Sequence, residues 1–239
     1  MSTKKNKPLY KTAITGSRKV GLSLVGNYLQ GHRGVAVIDL EAVPAELFAG
    51  PHFTDLNEWT GQIETTPNPT YAALRQAFGS DLVDSLNGPI NREKLSGRIS
   101  LDAASLRKFN SIMNDAIRAR MARKFELVKA TIAFVLVPFL FEHKLRDQFH
   151  EAWCVYCDRK VQLNRIMQDE HVSLDEARHS LRKHWPQHRK AQLSNYVINN
   201  SGSRADTYAQ LRGLLPQALK RARAFARRNP QLPPAGSAV

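Results

Sequence analysis

The stretch Lys11–Leu40, KTAITGSRKVGLSLVGNYLQGHRGVAVIDL, decides the fold. Thr12 to Thr15 reads as a strand running into a turn at Gly16, Leu22 to Leu29 as a helix, and Val35 to Leu40 as a second strand. This is one βαβ unit whose first turn has a glycine at each end, the setting in which backbone N–H groups cradle phosphate. In the frame G-x-x-x-x-G-K-S/T the corresponding positions hold Gly16, Gly21, Leu22 and Ser23. The glycines and the hydroxyl are present, but a leucine stands in the lysine's place. The architecture argues for a nucleotide fold and the motif argues against its usual chemistry.

Working outward, VIDLEAV puts Asp39 and Glu41 at the carboxyl end of the second strand, the sheet edge where open α/β folds bind ligands. Two acids there suit Mg²⁺ or a base for a hydroxyl nucleophile, a reading the flanking phosphate-type turn favours over charge and capping at a helix N-terminus. Residues 50–70 read as irregular, broken by Pro51, Gly61, Pro67 and Pro69. Tyr71, Leu74, Phe78, Leu82 and Leu86 follow helical spacing with a break at Gly79, and Ser100 and Asp102 are candidate caps for one or two long helices. The expectation is an all-helical insert over about 62–128.

TIAFVLVPFLFE has the continuous β-branched and aromatic run of a central strand buried on both faces, and HEAWCVYCDR reads as another short buried strand. A helical lid over about 162–190 is interrupted near His171-Val172, restarted by a Ser173–Glu176 capping box and stopped by Pro186. NYVINNSGS supplies a last short strand, and Ser203 to Asn229 a final helix ended by Pro230. A basic tail (1–10) and a proline-rich tail (229–239) are expected to be disordered, leaving one domain over 11–228. Strands alternating with helices predict the α/β class: a three-layer, P-loop kinase-like fold with a parallel sheet, an insert and a lid.

Lys+Arg exceed Asp+Glu by 35 − 21 = 14 in 239 residues, a balance that suits either a solvated basic surface or an anionic partner, phosphate-rich small molecules or nucleic acid. The polar N-terminal MSTKKNKPLY has no apolar run for a signal peptide, and Ile132–Phe141, interrupted by Pro138, is far short of the roughly 20 residues that span a bilayer. No membrane association is expected, and two cysteines make a reducing cytoplasm the default compartment. Cys154 and Cys157 spell C-x-x-C, but on a strand their side chains point to opposite faces, so core packing is the better reading. His179, His184 and His188 fall near one another, but Pro186 breaks the helix that would align the last two, so they do not read as a metal site; His184 could instead contact phosphate. Arg212, Lys220, Arg221, Arg223, Arg227 and Arg228 make the final helix basic, a solvated face or a dock for RNA or another polyanion.

Over roughly residues 10–215 the chain resembles the dephospho-coenzyme A kinase family. The resemblance is carried in order by AITGSRKVGLS, VIDLEAV, TYAALRQAFGSDLVDSLNGPINREKLSGRI, VPFLFE (family form P-L-L-F-E), the lid segment QLNRIMQDEHVSLDEARHSLRKHWP and NYVINNSGS (family form D-Y-V-I-D-N-S-G). It implies ATP and Mg²⁺ as cofactors, dephospho-coenzyme A as partner, and phosphorylation of its ribose 3′-hydroxyl. That reaction needs positioned phosphates, cations over the transferring group and a carboxylate at the attacking hydroxyl. The resemblance makes Glu41 the counterpart of the catalytic aspartate, with Asp39 two residues before it, and Gly16, Ser17, Arg18, Lys19, Gly21, Ser23, Arg165 and Asn200 nucleotide-side positions. Ser23 takes the Mg²⁺-side hydroxyl and Arg92 the substrate side.

It also marks departures. Leu22 replaces the phosphate lysine, Asp169 a lid arginine, Asn114-Asp115 a His-Pro pair and Asn199 a final-strand aspartate. The resemblance therefore implies weak or absent kinase activity, with an active kinase using Lys19 and Arg165, or an RNA- or assembly-binding scaffold, as alternatives.

Overall fold

A computed structural model describes residues 8–56, 62–182 and 185–230. The elements run β1 (Tyr10–Gly16), α1 (Leu22–Gln30), β2 (Val35–Asp39), α2 (Val43–Phe48), β3 (His52–Leu56), β4 (Ile63–Pro67), α3 (Pro69–Phe78), α4 (Arg92–Ile99) and α5 (Ala103–Glu126). They continue with β5 (Ile132–Leu136), β6 (Glu151–Tyr156), α6 (Arg159–Glu170), α7 (Leu174–Leu181), α8 (Gln187–Gln192), β7 (Tyr196–Asn199) and α9 (Arg204–Arg228). The chain divides into two compact units, Ala42–Leu127 and the remainder on either side of it.

The larger unit is an α/β sandwich on a five-stranded, wholly parallel sheet in the order β2-β5-β1-β6-β7. β5 is buried at every residue, as its unbroken apolar run requires of a strand covered on both faces. Phe134 and Trp153 meet across the sheet at 5.0 Å between ring centroids, and α1 and α9 add Val25, Leu29, Leu211 and Leu215 to the same core. From β1 the chain crosses to β2 on one side, and from β5 it crosses over β1 to β6 on the other. This is a topological switch point, so the ligand crevice belongs at the carboxyl end of β1.

Within the smaller unit, α5 is capped by Asp102, whose carboxylate accepts the Ser105 N–H at 2.6 Å. Asn68 caps α3 and also donates to the Leu47 and Gly50 carbonyls. This unit is not all-helical. Residues expected to be irregular form the antiparallel ribbon β3–β4, in which His52 pairs with Pro67 and Leu56 with Ile63. β4, IETTP, has apolar residues only at its two ends, so no apolar alternation announces it, although threonine favours extended backbone.

Two further expectations shift. The Ser173–Glu176 capping box is present, but α7 ends at Leu181, and Pro186 instead precedes α8, a helix the sequence did not suggest. Arg221 is not on a solvated face: its guanidinium meets the buried Glu151 carboxylate at 2.9 Å. His184 and the tails 1–7 and 231–239 lie outside the described residues. Among the described residues no helix is long and apolar enough to cross a membrane.

In the larger unit the His150 ring lies 4.5 Å from that of Tyr10 and 4.4 Å from that of Phe225. Its Nδ1 accepts the Lys11 N–H at 2.9 Å, which requires that nitrogen unprotonated, and burial holds the pKa below the ordinary 6.5. The unfolded chain therefore binds this proton more readily. The stability is fully present above about 6.5 and is lost as pH falls through the lower folded-state value. His150→Leu is expected to remove this share of acid sensitivity, read as a smaller drop in urea midpoint between about pH 7.5 and about pH 5. An unchanged drop would place the acid sensitivity in other groups.

Candidate active site

The Gly16–Gly21 loop leaves β1 and enters α1 at the switch point. Both glycines are fixed by space. A Cβ on Gly16 would lie 2.8 Å from the Val155 carbonyl, and one on Gly21, at φ +101°, would lie 2.1 Å from Asn200 Nδ2. Gly21→Ala is expected to cost about 1–2 kcal/mol in backbone strain alone, plus displacement of Asn200. Thermal unfolding should show the loss, and a variant with unchanged melting would contradict this geometry.

Side chains from below and beside the loop take its carbonyls. Asn200 Nδ2 donates to Val20 O at 2.7 Å, and Gln162 Nε2 donates to Arg18 O at 2.6 Å. Lys190, fully buried on α8, donates to Gly16 O at 3.3 Å and Pro138 O at 2.6 Å while pairing with Glu142 at 2.7 Å. With its carbonyls engaged from outside, the loop can turn N–H groups inward, toward the positive end of the α1 dipole.

The loop borders a cavity of about 630 Å³, which Ser17, Arg18, Lys19, Gly21, Leu22 and Ser23 line together with Glu41, Arg165 and Asn200. The structure thus brings together most of the positions singled out in the sequence. Asp39 is not among the lining residues; its Oδ1 accepts the Glu41 N–H at 2.7 Å and so orients the residue that is. Asn200 lines the wall, but its side chain is spent on the scaffold, with Oδ1 accepting from Thr207 at 2.8 Å. Arg165 donates to the Asn200 carbonyl at 2.9 Å. Arg92 belongs to the smaller unit, at the first turn of α4, with its guanidinium over the Phe48 ring.

The loop's own cations are paired with α6 carboxylates, whereas Arg165 and Arg204 line the cavity without an ion pair among the described residues. Lys19, held at φ 58°, meets Asp169 at 3.0 Å, and Arg18 meets Glu170 at 2.8 Å. Leu22 is buried, with its Cδ2 under the first glycine. Arg204, also a lining residue, escaped notice in the sequence, as did Glu170, Gln162 and Lys190. None stands in a recognisable pattern; Lys190 is one of 35 Lys and Arg, and only the fold shows it to be the one beneath the loop.

The cysteines are free and buried, and burial pushes both thiols up, Cys154 to about 12, so neither is a nucleophile at neutral pH. Among the described residues no group of three or more His, Cys, Asp or Glu could hold a metal. The smaller unit carries its own, mostly apolar cavity of about 540 Å³, lined by Phe53, Pro67, Ala73, Ile112 and Ala119 with Arg123.

A parallel sheet in this order with a glycine-bounded loop at its switch point defines a P-loop kinase fold. Comparison with known proteins agrees. A family model for dephospho-CoA kinase matches residues 10–206. The dephospho-CoA kinase of Streptococcus pneumoniae is 31% identical over 204 residues, 84% of this chain and 92% of that protein. A dephospho-CoA kinase domain-containing protein of Danio rerio is 30% identical over 207 residues, 85% of this chain and 82% of that protein. Among solved structures, TT1252 from Thermus thermophilus superposes with a TM-score of 0.68 at 22% identity, covering 88% of this chain and 98% of that one. Dephospho-CoA kinase from Campylobacter jejuni gives 0.56 at 19% identity, covering 88% and 97%. The chain belongs to the dephospho-CoA kinase family.

Proposed function

We propose that the chain binds ATP at the Gly16–Gly21 loop and dephospho-coenzyme A through the smaller unit, and that its phosphoryl transfer is strongly impaired. One observation carries this reading: the cations of the loop, Lys19 and Arg18, are held by the carboxylates of Asp169 and Glu170, while an apolar Leu22 fills the lysine position. Phosphoryl transfer depends on preorganised positive groups aimed at the moving charge, and removing one such donor costs on the order of 10²–10³ in rate. Here incoming phosphates must compete with two fixed carboxylates for the only cations of the loop. The residues present fit Mg²⁺ in the way that ion is usually held, with the Ser23 hydroxyl and nucleotide phosphates as ligands and water completing the shell. Its chemistry would be neutralisation of phosphate charge. Glu41 would act as the base, oriented by Asp39. The apolar cavity of the smaller unit, with Arg123 at its wall, suits the organic body of the acceptor, and Arg92 belongs to the same unit. Two free thiols suit a reducing, cytoplasmic setting.

A coupled assay with ATP, Mg²⁺ and dephospho-coenzyme A, run beside the Streptococcus pneumoniae enzyme, tests the proposal. Turnover about 10²–10³ lower with ATP binding retained is expected, and comparable turnover rejects it. The second reading is an active kinase using Lys19 and Arg165, which the position of both in the cavity wall favours. Under it, Lys19→Met abolishes a normal rate.

A further inference from the structure

The solvent face of α9 carries positive charge that the active site does not use. After Asp206 the chain contains no acidic residue, and Arg212, Lys220, Arg223 and Arg227 are all exposed on the helix. At 3.6 residues per turn these four fall within an arc of about 80° and along about 22 Å of helix. Among the described residues none of them is in an ion pair, whereas Arg221, turned inward, pairs with Glu151. Sequence positions 4, 5 and 7, just before Tyr10, are lysines, and Tyr10 packs on Phe225 at the same end of the helix.

Four unpaired like charges in a row disfavour the helix by mutual repulsion, and a polyanion relieves this by releasing its own counterions. The chemistry of the face selects among polyanions. It exposes no large apolar side chain, so it lacks both the apolar wedge of a membrane-surface helix and the anchors of a protein interface. It exposes no aromatic ring, so it offers no platform on which single-stranded bases stack. The opposite face, Leu211, Leu215, Ala218 and Ala222, is buried in the core along the same length, and the exposed Ala209 and Pro216 within the arc offer no side-chain hydrogen bond to a base edge. A face that holds phosphates without reading bases suits the wide, shallow minor groove of A-form RNA, which is recognised by shape and by phosphate and hydroxyl contacts.

We infer that the Arg212–Lys220–Arg223–Arg227 stripe of α9 is a docking surface for double-stranded RNA, bound through its phosphates without base readout. The test is fluorescence anisotropy with a labelled RNA duplex of about two helical turns, using the full chain. Four phosphate contacts give a log–log salt slope of about −3.6, so affinity should fall about 150-fold between 50 and 200 mM salt. In the triple variant Lys220→Gln, Arg223→Gln, Arg227→Gln the slope should fall to about −0.9 and that loss to about fourfold. The three side chains are exposed and unpaired, so melting temperature and ATP binding should stay at wild-type values. No binding of the duplex at low salt overturns the inference, as does a triple variant with an unchanged slope. Equal or tighter binding of a DNA duplex, single-stranded RNA, polyglutamate or anionic vesicles also overturns it. The inference is independent of kinase activity, so either can fail alone.

Discussion

Replacing Leu22 by lysine together with Asp169 by arginine is expected to raise phosphorylation of dephospho-coenzyme A by about 10²–10³, the factor one preorganised donor is worth in such a site. Leu22 opens α1 and lines the cavity, so a lysine there can lay its methylenes where the leucine packs and reach the cavity with its ammonium. The substitution gives up part of a buried leucine's contribution, about 1.5–3 kcal/mol when burial is complete, a loss the sheet core should tolerate. Asp169→Arg breaks a half-exposed ion pair worth at most about 1 kcal/mol, so its effect on folding is small and its effect on the field in the cavity is large. It removes a carboxylate that repels phosphate and releases Lys19. Two controls separate these contributions. Leu22→Met keeps the apolar shape without the charge and should leave turnover unchanged, while Asp169→Asn tests whether a released Lys19 is sufficient. A double variant no faster than Leu22→Met would show that the impairment lies elsewhere, for instance at the positions the family resemblance aligns with Asn114-Asp115.

What the sequence disclosed and what it withheld follow from the range of the interactions involved. β1, α1 and β2 were readable because each is written locally, in β-branched runs, helical spacing and a pair of glycines. The glycines proved to be required by contacts far away in sequence, Val155 and Asn200, which no local pattern could name. The β3–β4 ribbon went unread because its few apolar residues, Phe53 and Leu56 on one strand and Ile63 and Pro67 on the other, do not alternate with polar ones, so the period-2 signal that marks a half-buried strand is absent. Asn200 was legible as a site position but not its role, since only the fold shows its amide consumed by Val20 and Thr207. The Lys19–Asp169 and Arg18–Glu170 pairs join residues about 150 positions apart. Sequence could flag an anion in the lid, but not that it would be seated on the loop's own cations.

Lys190→Met is expected to destabilise the protein by about 3–5 kcal/mol, the usual cost of leaving one member of a buried ion pair uncompensated. Lys190 is fully buried, and its three donors go to Gly16 O, Pro138 O and Glu142 Oε1. Without it the Glu142 carboxylate, whose buried Oε2 has no partner among the described residues, keeps only the Trp185 N–H at 3.2 Å and loses its counter-charge. At about 2–4 °C per kcal/mol for a chain of this size, the melting temperature should fall by about 6–20 °C. Glu142→Leu in the Lys190→Met background should recover most of that loss, because an apolar pair of similar volume replaces a buried ion pair at little net cost. A single variant within about 1 kcal/mol of wild type, or a double variant less stable than the single, would refute this account of the pair. The stable double variant then isolates the second role of the lysine. Its Gly16 carbonyl has lost the donor that fixes the first turn of the loop, so ATP affinity should remain depressed although the fold has recovered. Recovery of affinity together with stability would instead make Lys190 a core residue that happens to lie beneath the loop.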